Sequence, residues 1–194
     1  MKKNKRLRGM CFLGLGILLL LSAGGWYISN VLEDKKAGVY VDTVVSKMDE
    51  VVSQENTLNK ANAPTIAVDG EFYCGRIVIE KLGVELPVYA EWNYKKLKKA
   101  PCRFKGGIDT NDMIIAAHNY RSHFGELKSL QMGDIIVFLD GADEVHQFTV
   151  TEIVLLDGSA VEDMTSGEWD FTLFTCTKGG KQRVTVRCEK VDKE

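Results

Sequence analysis

The feature that most constrains this chain is an uncharged, strongly apolar stretch near its N-terminus. Residues 10–28 read MCFLGLGILLLLSAGGWYI and contain no charged side chain. As a helix with about 1.5 Å of rise per residue, they would extend about 28 Å, close to the roughly 30 Å hydrocarbon layer of a bilayer. Trp26 and Tyr27 lie at the far end, where amphipathic rings favour the membrane interface. The pattern predicts a transmembrane signal anchor over residues 10–29.

Basic residues before this stretch predict its orientation. The first eight positions hold five lysines and arginines and no acid. Because positive flanks stay in the cytoplasm, we expect residues 1–9 to be cytoplasmic and the rest of the chain to be extracellular, as in a single-pass protein of the cell membrane. A cleaved signal peptide is the alternative, and the small residues 22–25 (SAGG) would suit it. We favour the uncleaved anchor, because the apolar run exceeds the about 7–15 residues typical of a signal peptide.

The charge of the remaining chain excludes one class of partner. Of the 25 basic residues five lie at the N-terminus, which leaves 20 against 27 acidic residues. A body with that acidic excess repels the phosphates of nucleic acids. We therefore expect no nucleic-acid partner.

Residues 30–69 are predicted to form a helical stalk or linker. Apolar residues recur there at three- and four-residue spacing, which puts them on one face of a helix. The members of this stripe are Val41, Val44, Val45, Met48, Val51 and Val52. The stripe would either pack on the protein's own domain or bind a partner, and the pattern leaves both open. The helix is expected to break at Asn62-Ala63-Pro64.

From about residue 70 the pattern changes to short apolar runs separated by turns. The predicted strands cover residues 76–79, 84–89, 113–117, 134–139, 145–156, 169–175 and 183–188. A short basic helix is expected from Tyr94 to Lys99. Six or more short strands with few helices in about 125 residues predict a mainly β domain over residues 70–194, folded as a closed or nearly closed barrel.

Four cysteines fall in this β region, and their contexts differ. Cys188 lies within a strand pattern and is predicted to be buried. Cys74 and Cys102 flank the first hairpin and could pair as a disulfide, which the pattern alone leaves open. No close cysteine pair has zinc-ligand spacing and the three histidines are scattered, so no metal site is predicted. Cys176 ends an apolar strand before a cationic loop, where a thiolate can be stabilised and reached by substrate.

Three residues far apart in the chain lie at strand ends and have complementary chemistry. His118 and Cys176 each end an apolar strand, and Arg183 opens the next strand after a glycine-bearing turn. A cysteine that attacks an amide needs a proton donor or acceptor and a positive group for the oxyanion. We therefore predict His118, Cys176 and Arg183 as the catalytic residues. His123 competes with the histidine, and Arg187 competes with the arginine.

The sequences around these residues resemble the sortase family. Residues 172–176 (TLFTC) match the TLxTC motif of sortases, and Arg183 stands where their downstream arginine opens the last strand. The segment after the sortase catalytic histidine is similar to three stretches of this chain: AHN (117–119), FGEL (124–127) and GD (133–134). The resemblance covers about residues 70–191. It implies a sortase-type closed eight-stranded β-barrel with short helices.

Sortases are cysteine transpeptidases, and the resemblance implies the same activity here. By that analogy Cys176 would attack an LPxTG-like motif near the C-terminus of an exported protein and form a thioacyl-enzyme. His118 would protonate the departing amine, and Arg183 would steady the carbonyl oxygen. The acceptor amine would come from a cell-wall precursor or from a pilin subunit.

Sequence departures bear on the subclass and on cofactors. Residues 61–73 lack the Asp-Pro-aromatic motif that marks the lid of the pilin-polymerising class. Residues 157–168 are short for the long helix of the class that serves haem-acquisition proteins. Glu162 and Asp163 offer oxygen for calcium, but calcium sites need about six ligands, so a solvated acidic loop is expected. No cofactor is predicted.

Two other functions fit the same residues. The first is a non-enzymatic, membrane-anchored extracellular β-domain that binds a protein partner. The second is a thiol hydrolase that releases peptide to water.

Overall fold

A long N-terminal helix is followed by short strands in the computed structural model, which describes residues 2–55, 65–166 and 168–191. The elements in chain order are α1 (Lys2–Glu55), β1 (Ile66–Val68), β2 (Glu71–Ile79), β3 (Val84–Tyr89), α2 (Tyr94–Leu97), β4 (Cys102–Lys105), β5 (Met113–Ala117), β6 (Ile135–Asp140), β7 (Val145–Asp157), α3 (Val161–Met164), β8 (Phe171–Cys176) and β9 (Gln182–Lys190). Single 3-10 turns occur at Glu80–Leu82 and Leu127–Ser129. The chain divides into two units, Met1–Lys36 and Ala37–Glu194.

The first unit is helical over its described residues. Its apolar side chains are exposed, including Leu20, Leu21 and Trp26, each at least 70% accessible. This helix is long and apolar enough to cross a membrane. It is a candidate membrane span, in the same region as the predicted anchor.

The second unit contains a mixed sheet that closes into a barrel. Among its described residues the strands neighbour one another in the order β2-β3-β4-β5-β8-β9-β7-β6, and β6 pairs back with β2. Strand β1 adds to the edge of β2. The β3–β4 and β5–β8 pairs are parallel and the others antiparallel. The predicted mainly β, closed eight-stranded barrel is confirmed.

Barrel closure depends on a glycine in β2. Gly75 pairs with Asp140 of β6 and has a φ of +149°, a conformation that L side chains rarely adopt. A Cβ at this position would overlap the carbonyl oxygen of Leu139. Only glycine therefore lets the two strands approach closely enough to pair.

The sequence pattern missed β1 and β4, which are the two shortest strands. Strand β1 has three residues and falls inside the range 30–69 that was predicted as stalk or linker. Strand β4 has four residues, two of them charged, and pairs with β3 at a single position. The helix break expected at residues 62–64 lies outside the described residues.

The apolar stripe of α1 packs on the barrel. Val41, Val44 and Met48 are at most 3% exposed and belong to the same core cluster as the barrel interior. The other three members, Val45, Val51 and Val52, pack against that cluster. Of the two uses that the sequence left open for the stripe, the structure shows packing on the protein's own domain.

Three tyrosines support this packing. The Tyr40 hydroxyl of α1 hydrogen-bonds the hydroxyls of Tyr73, at 2.8 Å, and of Tyr89. The rings of Tyr73 and Tyr89 stack with centroids 4.6 Å apart. Burial raises the pKa of both phenols, so they stay neutral and can donate hydrogen bonds. The cluster fastens α1 to β2 and β3.

Three of the barrel cysteines are buried, free thiols: Cys74, Cys102 and Cys188. The disulfide considered between Cys74 and Cys102 is not formed, and the Cys74 thiol donates instead to the Val88 carbonyl at 3.5 Å. Burial raises the pKa of Cys74 to about 12 and that of Cys102 to about 11. Neither thiol is therefore ionised near neutral pH.

Candidate active site

Three neighbouring strands bring the predicted catalytic residues to one end of the barrel. The parallel strands β5 and β8 pair up to Ala117 and Thr175; His118 directly follows β5, and Cys176 is the last residue of β8. On the antiparallel neighbour β9, the residue opposite Cys176 is Arg183. Directly opposed residues of antiparallel strands, such as Cys176 and Arg183, have Cα atoms about 4.5–5.5 Å apart, and neighbouring strands in general lie about 4.8 Å apart. His118, Cys176 and Arg183 therefore form a row across three strands.

Strand alternation determines which face of the sheet carries this row. Phe171 and Leu173 of β8 are fully buried inside the barrel, so Phe174 and Cys176 project from the opposite, outer face. Directly opposed residues on paired strands project to the same face, so Arg183 shares the outer face with Cys176.

Thr175 fixes the end of β8 against the end of β5. Its side chain is 3% exposed, and its hydroxyl donates to the Ala117 carbonyl at 2.8 Å. This bond ties together the residues that directly precede Cys176 and His118. Cys176 itself is half-buried, whereas the other described cysteines of the barrel are buried. It is the thiol that solvent and a substrate can reach.

The His118 imidazole lies against two tyrosine rings. Tyr120 stacks on it with centroids 4.8 Å apart and planes 17° apart, and Tyr94 of α2 meets it edge-on at 6.3 Å. Backbone bonds shape the loop: the Gly125 amide donates to the Tyr120 carbonyl at 2.8 Å, and the Phe124 amide donates to the His118 carbonyl at 3.2 Å. These contacts restrain the ring of His118 at the end of β5.

His123, the competing histidine, lies inside the protein. It is 1% exposed, and its Nε2 is 3.2 Å from the Lys99 carbonyl oxygen. Its ring also packs on Tyr120, at 5.4 Å between centroids. A buried histidine in this position supports the loop and does not line the outer face beside Cys176.

Arg183 is beside Cys176 in the sheet, but its guanidinium bonds to the following turn. Nη1 donates to the Gly180 carbonyl at 2.8 Å and to the Gln182 carbonyl at 3.3 Å. Gly158 packs closely here, since a Cβ at that position would lie 3.3 Å from the Arg183 Nη1. The structure thus brings the three backbone positions together and directs the arginine head group to the β8–β9 turn.

Arg187, the competing arginine, is engaged elsewhere. It lies opposite Thr172 in the β8–β9 register, four residues along the strand from Arg183. Its Nη1 pairs with Glu152 at 2.7 Å, and its Nη2 donates to the Asp163 carbonyl at 2.8 Å. This pairing places Arg187 in a structural contact away from Cys176.

An apolar patch covers the outer face below Cys176. It consists of Ile114, Ala116, Phe174 and Met164, with Leu97, Phe104 and Leu156 packed around it. The sequence reasoning missed this patch. The signal was present, because the five apolar residues of β5 form a continuous run, which is typical of a strand buried on both faces.

Metal-binding groups in the described residues lie away from this row. Asp140, Glu144 and His146 on the β6–β7 hairpin have ligand atoms within 4.8 Å of one another. The Asp140 carboxylate already accepts bonds from His146 Nε2 at 2.9 Å and from two hairpin amides. The three side chains therefore lie close together because Asp140 holds the β6–β7 turn by hydrogen bonds. Glu162 and Asp163 are exposed in the short helix α3.

Comparison with known proteins relates this chain to the sortases by sequence and by fold. The Sortase domain family profile matches residues 77–191, more than half of the chain. Sortase C1 from Streptococcus suis superposes with a TM-score of 0.54 at 25% identity, covering 63% of this chain and 74% of that one. Sortase C from Streptococcus pneumoniae gives 0.59 at 21% identity, with 78% and 97% covered. Sortase C from Clostridium perfringens, solved with the C-terminal cell wall sorting motif, gives 0.56 at 19% identity, with 78% and 89% covered.

No match was found among curated protein sequences. The structural likenesses are likenesses of fold, and they do not assign the subclass. The family profile begins within β2 and spans strands β3 to β9, including His118, Cys176 and Arg183. The chain is a member of the sortase family, whose enzymes are cysteine transpeptidases.

Proposed function

We propose that this protein is a membrane-anchored transpeptidase that cleaves an LPxTG-like sorting motif of exported proteins. It transfers the cleaved protein to an amine of a cell-wall precursor or of a pilin subunit. The observation that carries the proposal is the row of His118, Cys176 and Arg183 on the outer face of a sortase-family barrel. The N-terminal helix holds the enzyme in the membrane, with residues 1–9 in the cytoplasm and the barrel outside the cell.

The first half of the reaction makes a thioacyl-enzyme. The Cys176 thiol gives its proton to His118 and its sulfur attacks the carbonyl carbon of the scissile amide, so a C–S bond forms and the C–N bond breaks. The imidazolium of His118 gives its proton to the departing amine. Arg183 donates hydrogen bonds to the oxygen that becomes negative during attack. To do so, its guanidinium leaves the Gly180 carbonyl and turns toward the substrate.

The second half transfers the acyl group to the acceptor. The incoming amine attacks the thioester carbon, a C–N bond forms, and the C–S bond breaks. The proton of the amine passes to His118 and from there to the departing Cys176 sulfur, which returns both residues to their starting state. Transfer exceeds hydrolysis only where water is scarce, and the apolar patch beneath Cys176 keeps that face of the site dry. Thiol, imidazole and guanidinium suffice for this chemistry, so we propose no cofactor.

The test uses the full chain in detergent with LPxTG-like peptides, in the presence and absence of hydroxylamine or oligoglycine. The proposal expects product that depends on the amine and disappears in Cys176→Ala. His118→Ala and Arg183→Ala are expected to lose orders of magnitude in rate while they fold normally. His146→Gln, on the distant β6–β7 hairpin, is the matched control and keeps its rate.

The competing functions give different results in this assay. Cleavage that is independent of the amine identifies a thiol hydrolase. Absence of turnover and of covalent adduct with any peptide of a library favours a partner-binding domain. An Arg183→Ala enzyme with near wild-type rate would show that Arg183 does not stabilise the oxyanion.

A further inference from the structure

The connection between β7 and β8 borders the candidate active site. We refer to its described residues, 158–166 and 168–170, as the β7–β8 connection. Its Met164 is 5% exposed and packs on Ile114, Ala116 and Phe174 of the outer apolar patch. Phe174 precedes Cys176 by two residues on the same face of β8. The connection therefore forms a wall beside the surface on which a peptide bound to Cys176 would lie.

One guanidinium holds this wall at two points. The Nη2 of Arg187 donates to the Asp163 carbonyl in α3 at 2.8 Å. The same guanidinium lies 4.7 Å from the centroid of the Trp169 ring, near the other end of the connection. Its Nη1 pairs with Glu152 of β7 at 2.7 Å. Arg187 thus links the connection to both strands β7 and β9.

The environment of Arg187 makes these contacts strong. Its side chain is 14% exposed, and its hydrogen bonds are charge-assisted because the guanidinium is ionised. The Trp169 ring meets this guanidinium in a cation–π contact, and its buried Nε1 has no hydrogen-bond acceptor among the described residues. A second anchor, from Lys105 Nζ to the Thr165 carbonyl, is one longer hydrogen bond of 3.2 Å, whereas Arg187 combines a hydrogen bond, a ring contact and an ion pair.

We propose that Arg187 is a positioning residue for substrate recognition, which fixes the β7–β8 connection as one wall of the peptide groove. The inference rests on the proposed function. Arg187 is four residues along β9 from Arg183, about 13 Å at the rise of a strand, so it does not reach the scissile bond. Its effect is therefore on peptide binding, because a loosened wall must be ordered each time a peptide binds.

The kinetic test separates binding from chemistry. In Arg187→Ala the KM for an LPxTG-like peptide is expected to rise about tenfold to a hundredfold, the fold-change of one or two lost charge-assisted hydrogen bonds. The kcat is expected to stay within about threefold of wild type, as for a residue whose contribution is uniform binding. The peptide Kd measured in a Cys176→Ala background should rise by the same factor as KM.

Two matched variants complete the design. Lys105→Ala removes the single hydrogen bond from Lys105 to the same connection and is expected to change KM less than about twofold. Arg187→Lys keeps the charge without the planar fork and should fall between wild type and Arg187→Ala. Amide hydrogen exchange gives a readout independent of turnover, with faster exchange in the connection of Arg187→Ala and unchanged exchange in β5.

The outcomes distinguish this inference from the proposed function. A wild-type protein that transfers no peptide overturns the proposed function. An active Arg187→Ala enzyme with unchanged KM, or with a loss confined to kcat, overturns the inference alone. Unchanged hydrogen exchange in the connection also overturns it. If Arg187→Ala fails to fold, the same comparison is made with Arg187→Lys and Glu152→Gln.

Discussion

Truncation of Met48 tests whether α1 is part of the barrel fold. Met48 lies on the apolar stripe of α1, is 1% exposed and belongs to the barrel's core cluster. Replacing a buried methionine by alanine costs about 2–5 kcal/mol, from lost transfer free energy and from the cavity left behind. That is a large share of the about 5–15 kcal/mol by which such domains are stable.

Urea unfolding of the full chain in detergent measures this effect, with β-sheet circular dichroism as the signal. A loss of about 2 kcal/mol at a slope of about 2 kcal/mol/M moves the midpoint by about 1 M urea. Val39→Ala is the matched control, because Val39 is 67% exposed on the same helix. Its free energy of unfolding is expected to stay within about 0.5 kcal/mol of wild type. If Met48→Ala unfolds at the same midpoint as Val39→Ala, α1 does not stabilise the barrel and the stripe serves a partner.

Three further predictions follow from single positions. Iodoacetamide should label Cys176 first among the described barrel cysteines of the native protein. Burial raises the pKa of Cys74 to about 12 and that of Cys102 to about 11, and it also raises the pKa of Cys188. Equal labelling of the four cysteines by mass spectrometry would contradict this. Gly75→Ala should cost about 3 kcal/mol or more and open the β2–β6 pairing, since its Cβ would overlap the Leu139 carbonyl; a wild-type melting temperature would refute this view of closure. Lys81 Nζ lies 2.8 Å from Asp134 Oδ2, and this hydrogen bond holds the pKa of Asp134 below its usual value. The ionised carboxylate therefore stabilises the fold above about pH 4, and this stabilisation is lost as the pH falls through the lowered pKa. The gap in melting temperature between wild type and Asp134→Asn should therefore be widest near pH 7 and shrink below about pH 4, and a gap that stays constant with pH would argue against the ion pair.

Strand positions and the identity of the candidate triad followed from the sequence because they are local signals. Apolar runs bounded by glycine turns identify β5 and β8, and each run ends directly before or at a residue with catalytic chemistry. The pairing of β5 with β8 is parallel and spans many residues of chain, yet it places His118 and Cys176 side by side. The closed barrel brings β5 and β8 together, and the local sequence pattern alone does not specify this pairing.

Other features depended on tertiary contacts that the sequence pattern does not contain. The same helical stripe suits a core or a partner, and only the packing of Met48 on the barrel decides between them. The exclusion of His123 rests on its burial beside Lys99, which is set by the fold of the loop. The Arg183 guanidinium bonds to turn carbonyls because of the shape of the β8–β9 turn, which residue types alone do not specify.

The most direct test of the central claim is the mass-spectrometric capture of an acyl group on the enzyme. The full chain is incubated with an LPxTG-like peptide without acceptor amine, quenched in acid and digested. The proposed mechanism predicts one thioester adduct, mapped to Cys176 and removed on addition of oligoglycine. Amine-dependent transfer with the acyl group on another residue, or with no adduct on Cys176, would contradict it.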